Sequence, residues 1–167
     1  MRFDPQLGIP NAPAINTLLR TAFPAPFEAN LVHSLRDNHS CEAEHGLWDK
    51  ETLVGYIAYS PVTAETNPLN RKILGIGPMA LAPAYQGQGH GKVFLAQSLS
   101  QVEADAFVLL GHVGFYKQVG FSSAAGFDLR FGEDPRFEAA FMAIEACAGS
   151  LDTVSGKIQY HSAFYSK

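Results

Sequence analysis

Apolar positions along the chain follow two different periods. Ile15, Leu18, Leu19 and Phe23 recur three and four apart, the spacing that lines one face of a helix. Asn11-Ala12-Pro13 supplies its start, a capping residue type followed by proline in the first turn. Phe23-Pro24-Ala25-Pro26 breaks that helix, and Leu31, Val32 and Leu35 predict a second from about Phe27 to Asp37. From residue 43 the period becomes two. Strands are predicted at about 43–49 and 52–61, with the hairpin in Gly46-Leu47-Trp48-Asp49-Lys50-Glu51. In the second strand Leu53, Gly55, Ile57 and Tyr59 alternate with Val54, Tyr56 and Ala58, so both faces are apolar and the strand is expected to be central. Glu65 to Lys72 reads as a polar loop, and a strand from Ile73 to Leu81 follows. A helix is predicted from about Gly89 to Glu103, with Val93, Phe94, Leu95, Leu99 and Val102 on its apolar side. A short strand (Ala106 to Leu110), a short helix (about Gly114 to Val119) and two strands near 124–131 and 138–146 complete the order. Met1 to Leu7 supplies a short first strand.

Between the strand ending at Leu81 and the next helix lies Ala82-Pro83-Ala84-Tyr85-Gln86-Gly87-Gln88-Gly89-His90-Gly91-Lys92. Glycines at alternate positions let the backbone turn tightly and approach a ligand closely. The amides and the positive dipole end of the following helix favour a phosphate or pyrophosphate there. A P-loop would need glycine where Gln86 stands and Ser or Thr where Val93 stands. A Rossmann fingerprint starting at Gly87 would need its third glycine at Lys92. An NAD(H) oxidoreductase would have to build its turn on Gly75-x-Gly77, and Pro83 opposes a helix soon after.

The order Gln86-x-x-Gly89-x-Gly91, after Met79-Ala80-Leu81-Ala82-Pro83, resembles the coenzyme A pyrophosphate loop of the Gcn5-related N-acetyltransferases (GNAT). A second stretch, Gly111-His112-Val113-Gly114-Phe115-Tyr116-Lys117-Gln118-Val119-Gly120-Phe121, carries a Phe-Tyr-x-x-x-Gly-Phe core similar to that family's second signature. Gly120 suits the end of its short helix because glycine tolerates positive φ. Gln86 to Gly89, the 111–116 arrangement, Ala140 to Glu145 and Val154-Ser155-Gly156 look most like the YhbS-type branch. The resemblance covers nearly the whole chain. It implies an α/β (α+β) GNAT fold: a single mixed, mostly antiparallel central sheet, splayed between its fourth and fifth strands, with helices on both faces. It also implies an acetyl-CoA-dependent N-acyltransferase that moves an acetyl group to a primary amine of a small molecule or protein by direct attack on the thioester.

On the same resemblance, the coenzyme would be held by Met79, Ala80, Leu81, Gln86, Gly87, Gln88, Gly89, His90, Gly91 and Lys92. The backbone near Met79 would bind the acyl carbonyl, that near Leu81 the pantetheine arm, and the amides of Gln86 through Gly91 the pyrophosphate. Tyr116 matches the family tyrosine facing the thioester sulfur and is expected to be the general acid, since a phenol with pKa near ~10 is protonated at neutral pH. Many relatives place a His or Glu on the strand before the pyrophosphate loop. Here the alternate positions are Gly75 and Gly77, which take no proton. The base is therefore open between His112, an ordered water, Glu28 and none at all. That gap motivates an alternative of another class, a CoA or acyl-CoA binding module with little or no transfer activity.

Composition narrows the remaining classes. At 167 residues the chain is the size of one domain, 1–167, large enough to bury a core. A formal net charge of −4 with no Lys/Arg cluster argues against nucleic acid as a partner. It leaves coenzyme A open, because backbone amides would hold the pyrophosphate. Cys41 and Cys147 make no disulfide framework, and no apolar run of membrane-spanning length appears, so a cytoplasmic protein is expected. His39, Cys41, Glu42, Glu44 and His45 match no recognised metal-ligand spacing, and no metal is expected. Cys147 has no nearby base to activate it. Tyr160, Phe164 and Tyr165 are expected to pack on the domain or on a homodimer partner, and Glu133, Asp134 and Arg136 to form a polar turn.

Overall fold

The computed structural model describes residues 1–132 and 134–166. In chain order these form β1 (Arg2–Asp4), α1 (Ala12–Ala22), α2 (Phe27–Asp37), β2 (Ala43–Asp49), β3 (Thr52–Pro61), β4 (Thr63–Thr66) and β5 (Ile73–Leu81). Then follow α3 (His90–Leu99), β6 (Ala106–Leu110), α4 (Val113–Tyr116), β7 (Ser122–Ser123), β8 (Leu129–Arg130), β9 (Phe141–Glu145) and β10 (Ser155–Gln159). The architecture is mixed α/β with mostly antiparallel strand pairing. The chain divides into two compact units, one of residues 1–60, 77–102 and 162–166, the other of 61–76 and 103–161.

In the first unit, β1, β2 and β3 pair antiparallel, and the Ala82 N–H after β5 donates to Val54 O at 2.8 Å. The eight interior residues of β3 are all buried, as its two apolar faces require. Helices cover both faces. On one, Ile15, Leu18, Leu19 and Val32 from α1 and α2 pack with Leu53, Tyr56, Ala58 and Ala80. On the other, α3 approaches so closely that a Cβ at Gly55 would lie 3.0 Å from Phe94 Cε1. Ser98 of α3 shares hydrogen bonds with His45 Nδ1 (2.8 Å) and Tyr59 Oη (2.6 Å), and all three residues are buried. Burial lowers the His45 pKa, Asp4 opposing, so the ring is held as neutral imidazole.

In the second unit, β5 and β6 run parallel over Ile73–Gly75 and Ala106–Val108. β9 pairs antiparallel with all five residues of β6 and with β7. β10 stands between β4, antiparallel, and β8, parallel. Tyr160 closes this unit's core, its ring against Phe131 at 5.6 Å between centroids.

Several sequence expectations need correction. The stretch 65–72 begins in a strand, because β4 finds its partner far downstream in β10, Thr66 opposite Ser155, which periodicity did not reveal. The segment 124–131 is a 3-10 turn at Ala124–Phe127 between the two-residue strands β7 and β8. The strand expected at 138–146 narrows to Phe141–Glu145. The third helix ends at Leu99, and Val93, expected to be buried, is 68% exposed. Of the polar turn at 133–136, Glu133 lies outside the described residues, while Arg136 is clamped to Asp134, Nε donating at 2.9 Å. Among the described residues no helix is long and apolar enough to cross a membrane.

Candidate active site

β5 delivers the chain to the glycine loop through a 3-10 turn at Pro83–Tyr85. Side chains brace that turn from outside: Tyr85 Oη donates to Asp49 Oδ2 (2.7 Å), Gln86 Nε2 to Leu81 O (2.9 Å) and Gln88 Nε2 to Ala84 O (2.7 Å). Gly87 and Gly89 then adopt φ of +71° and +84°, with Gly89 the residue before α3. A Cβ at either would meet nothing within 4 Å, so conformation and open approach, not crowding, select glycine there. Gly91 is buried in the first turn of α3, whereas Lys92 is exposed and His90 half-buried. The leading amides of a helix have no intrahelical acceptor, so those of His90, Gly91 and Lys92 face the loop as a donor set. The Gln86 N–H is already committed to Pro83 O at 3.2 Å, which begins the open run of amides at Gly87.

On β5 itself, Ala80 sends its methyl into the core beneath α1 and α2, leaving only its backbone for a ligand. Met79 and Leu81, alternate to it, are half-buried.

The Tyr116 element belongs to the second unit. His112 is exposed and starts α4, its carbonyl accepting from the N–H of Phe115 (3.0 Å) and Tyr116 (3.2 Å). Gly120 ends the following turn with φ of +106°, and Phe121 N–H returns to Tyr116 O at 3.2 Å. The Tyr116 ring is gripped edge-on by Phe115 (4.9 Å) and Phe121 (5.8 Å). It lies over Gly111, where a Cβ would come within 2.6 Å of Tyr116 Cε2. The ring above it is what requires glycine at 111. Burial pushes the Tyr116 phenol up to about 12.

The other candidates disperse. Glu44 and His45, neighbours in β2, point to opposite faces. Glu44 takes Arg36 Nε (3.0 Å) and Nη2 (2.5 Å) and the Tyr56 hydroxyl (2.6 Å), while His45 joins Ser98. The Arg36–Glu44–Tyr56 cluster escaped sequence reading because its members come from three elements. Among the described residues no group of three or more His, Cys, Asp or Glu is placed to hold a metal. Glu28 stands in the first turn of α2, half-buried.

Gly75 acquires a packing explanation, whereas the space at Gly77 would admit a Cβ. The Tyr160 ring edge occupies the space a Cβ at Gly75 would need, and Val62 Cγ1 would lie 3.0 Å from it. A Cβ at Gly77 would lie 3.4 Å from Phe164 Cε1.

Comparison with known proteins bears on this geometry. Residues 12–121 match the profile of the Acetyltransferase (GNAT) family. The protein named "Uncharacterized N-acetyltransferase YhbS" of Escherichia coli strain K12 is 34% identical over 158 residues, 92% of this chain and 93% of the relative. A crystal structure of Escherichia coli YhbS in complex with CoA aligns with a TM-score of 0.88 at 32% identity, covering 99% of this chain and 92% of that one. A GNAT family acetyltransferase from Brucella melitensis, crystallised with acetyl-CoA, shares the fold with a TM-score of 0.77 at 24% identity, over 98% and 97% of the two chains. With both motifs in place, a family match across 12–121 and 34% identity over 92% of its length, the chain belongs to the acetyltransferase (GNAT) family.

Proposed function

We propose that the protein moves an acetyl group from acetyl-CoA to a primary amine, on a small molecule or a protein, by direct attack of the amine on the thioester. The reading takes residues 1–167 as one acetyltransferase domain. The observation that carries it is the pair of left-handed glycines, 87 and 89, at the head of α3, with open space where a Cβ would stand. Such a backbone suits a pyrophosphate, since its N–H groups converge at the positive end of a helix dipole. Two relatives crystallised with CoA and acetyl-CoA support assigning that ligand here. The amides from Gly87 to Lys92 would hold the diphosphate, Lys92 adding a charge. The backbone of Met79, Ala80 and Leu81 would receive the acyl carbonyl and the pantetheine arm.

In the transfer a C–N bond forms, the C–S bond breaks and the proton lost by nitrogen ends on sulfur. Tyr116, held near 12, keeps its own proton at neutral pH. A departing thiolate of ordinary acidity, pKa about 8.5, is a weaker base than the Tyr116 phenolate, so handing the proton over outright would be uphill. Tyr116 therefore acts as a hydrogen-bond donor from Oη to the departing sulfur, and the amine's own proton closes the balance. His112, exposed beside α4, is the candidate that relays that proton after attack.

Calorimetry with acetyl-CoA followed by thiol-release assays over an amine panel tests this. Binding plus release is expected, with Tyr116→Phe at least ~10-fold slower. Binding without release to any amine, and without self-acetylation, would favour the coenzyme-binding module. No binding would sink both readings.

A further inference from the structure

We infer that the acceptor is a weakly basic primary amine with an uncharged, largely apolar body, taken up in its neutral form by a pocket between α2 and the C-terminal turn. The inference rests on the acetyl-transfer reading above and adds the substrate class.

The pocket lies wholly in the first unit and measures about 490 Å³, within the range of small-molecule sites. Pro26, Phe27, Leu31 and Ala163 give it an apolar wall, and Asn30 and Ser34 supply neutral hydrogen-bonding groups. No described lining residue carries a charge. Beneath it lies the cluster of Leu31, Leu35 and Ala163 with Phe27, Cys41 and Phe164. Cys41 is the titratable member of that cluster, and burial pushes its thiol up to about 12, so it stays neutral. The Phe164 ring connects this cluster to β5 at Gly77, two residues before Met79, where the acyl carbonyl is proposed to sit.

An ammonium entering such a pocket would lose its hydration with no counter-charge among the described lining residues to replace it. Nor does β5 offer a carboxylate to deprotonate one. Gly75 is closed by Tyr160 in the second unit, and Phe164 stands against Gly77 in the first. The Glu44 carboxylate of β2 is consumed by Arg36 and Tyr56. His161 lies between the two rings in sequence, Tyr165 follows them, and Glu28 stands in the first turn of α2 beside the lining residue Phe27. With none of these groups taking the proton before attack, only the neutral fraction of the amine reacts. At pH 7 that is about one part in 2,500 for a lysine-type amine of pKa ~10.4, against roughly one in ten for an α-amino group near 7.7–8.0. Weaker bases are almost wholly neutral, and that difference selects the substrate class.

The test uses the full chain with acetyl-CoA and acceptors sharing a phenyl body: aniline, phenylalanine amide and phenethylamine, with spermidine and a lysine-bearing peptide as charged competitors. Thiol release is followed from pH 7.5 to 9. For phenethylamine, kcat/KM is expected to rise about tenfold per pH unit; for the two weaker bases it should be nearly flat and at least 10²-fold higher at pH 7.5. Asn30→Asp places a carboxylate at the pocket mouth, and Ser34→Asp serves if the first variant fails to fold. Either should lower kcat/KM for the phenyl acceptors at least tenfold while leaving acetyl-CoA binding by calorimetry unchanged. A common pH dependence for all acceptors, or preference for spermidine or the peptide, overturns the inference and directs attention to His112 or His161 as a base. Acetyl-CoA binding with no release to any acceptor also overturns it, leaving the coenzyme site intact. Failure to bind acetyl-CoA at all is failure of the underlying reading.

Discussion

Replacing Gly111 by alanine probes the placement of Tyr116 without touching the phenol. The added Cβ would lie 2.6 Å from Tyr116 Cε2 and 3.3 Å from Cδ2, so the nearer contact falls about 0.8 Å short of ordinary approach at 3.4 Å. Gly111 does not use a positive φ, so the backbone itself accepts alanine. The ring has little freedom to absorb the methyl, because Phe115 and Phe121 hold it on two sides. It must swing by something near that 0.8 Å, carrying the hydroxyl with it. A misplacement approaching 1 Å costs on the order of 10²-fold in rate, and overpacking of this kind costs about 1–3 kcal/mol in stability. Steady-state thiol release should show kcat down by up to that factor, and no further than in Tyr116→Phe, with KM for acetyl-CoA within about twofold of wild type, since the glycine loop is untouched. The double variant Gly111→Ala/Tyr116→Phe should be no slower than Tyr116→Phe alone, because both act through one hydroxyl. Wild-type kcat for Gly111→Ala, or penalties that multiply in the double variant, would refute the reasoning.

Other consequences are checkable with simpler measurements. Gly89→Ala meets no steric obstacle but forces alanine to φ near +84°, a conformational cost of ~1–2 kcal/mol. If that cost falls on the coenzyme site, calorimetry should give an acetyl-CoA Kd weaker by roughly 5–30-fold; an unchanged Kd would detach the loop from binding. Ser98→Ala removes the hydroxyl that joins His45 to Tyr59, and urea unfolding should show a loss of ~1–3 kcal/mol. Because the folded state lowers the His45 pKa, stability from its neutral ring is complete above about 6.5 and is lost as pH falls below it. Urea midpoints at pH 7.5 and 5.5 should differ in wild type and differ less in His45→Gln. Gly75→Ala drives a methyl into the Tyr160 ring and should cost ~1–3 kcal/mol, read as a lower Tm. Gly77→Ala makes ordinary contact with Phe164 at 3.4 Å and should be nearly neutral; equal effects would contradict the packing described.

Local chemistry made much of this protein readable from its residues alone. The apolar spacing and flanking prolines of α2 and the two-sided apolar alternation of β3 are strong near-neighbour signals, and both elements run where they were expected, Phe27–Asp37 and Thr52–Pro61. The alternate glycines at 87 and 89 likewise encode a backbone conformation that few other residues adopt, so the loop announced itself. What the tertiary structure decided is everything that depends on partners distant in the chain. The short, polar strands β4 and β10 exist through mutual pairing, and neither carries a periodic signal of its own. Val93 fits a helical apolar stripe yet faces outward, because helix geometry admits several stripes and only packing chooses one. Gly75 looked like a missing proton acceptor in the sequence; folding fills its space with the ring of Tyr160, eighty-five residues on, and one dimension cannot show which residue will arrive.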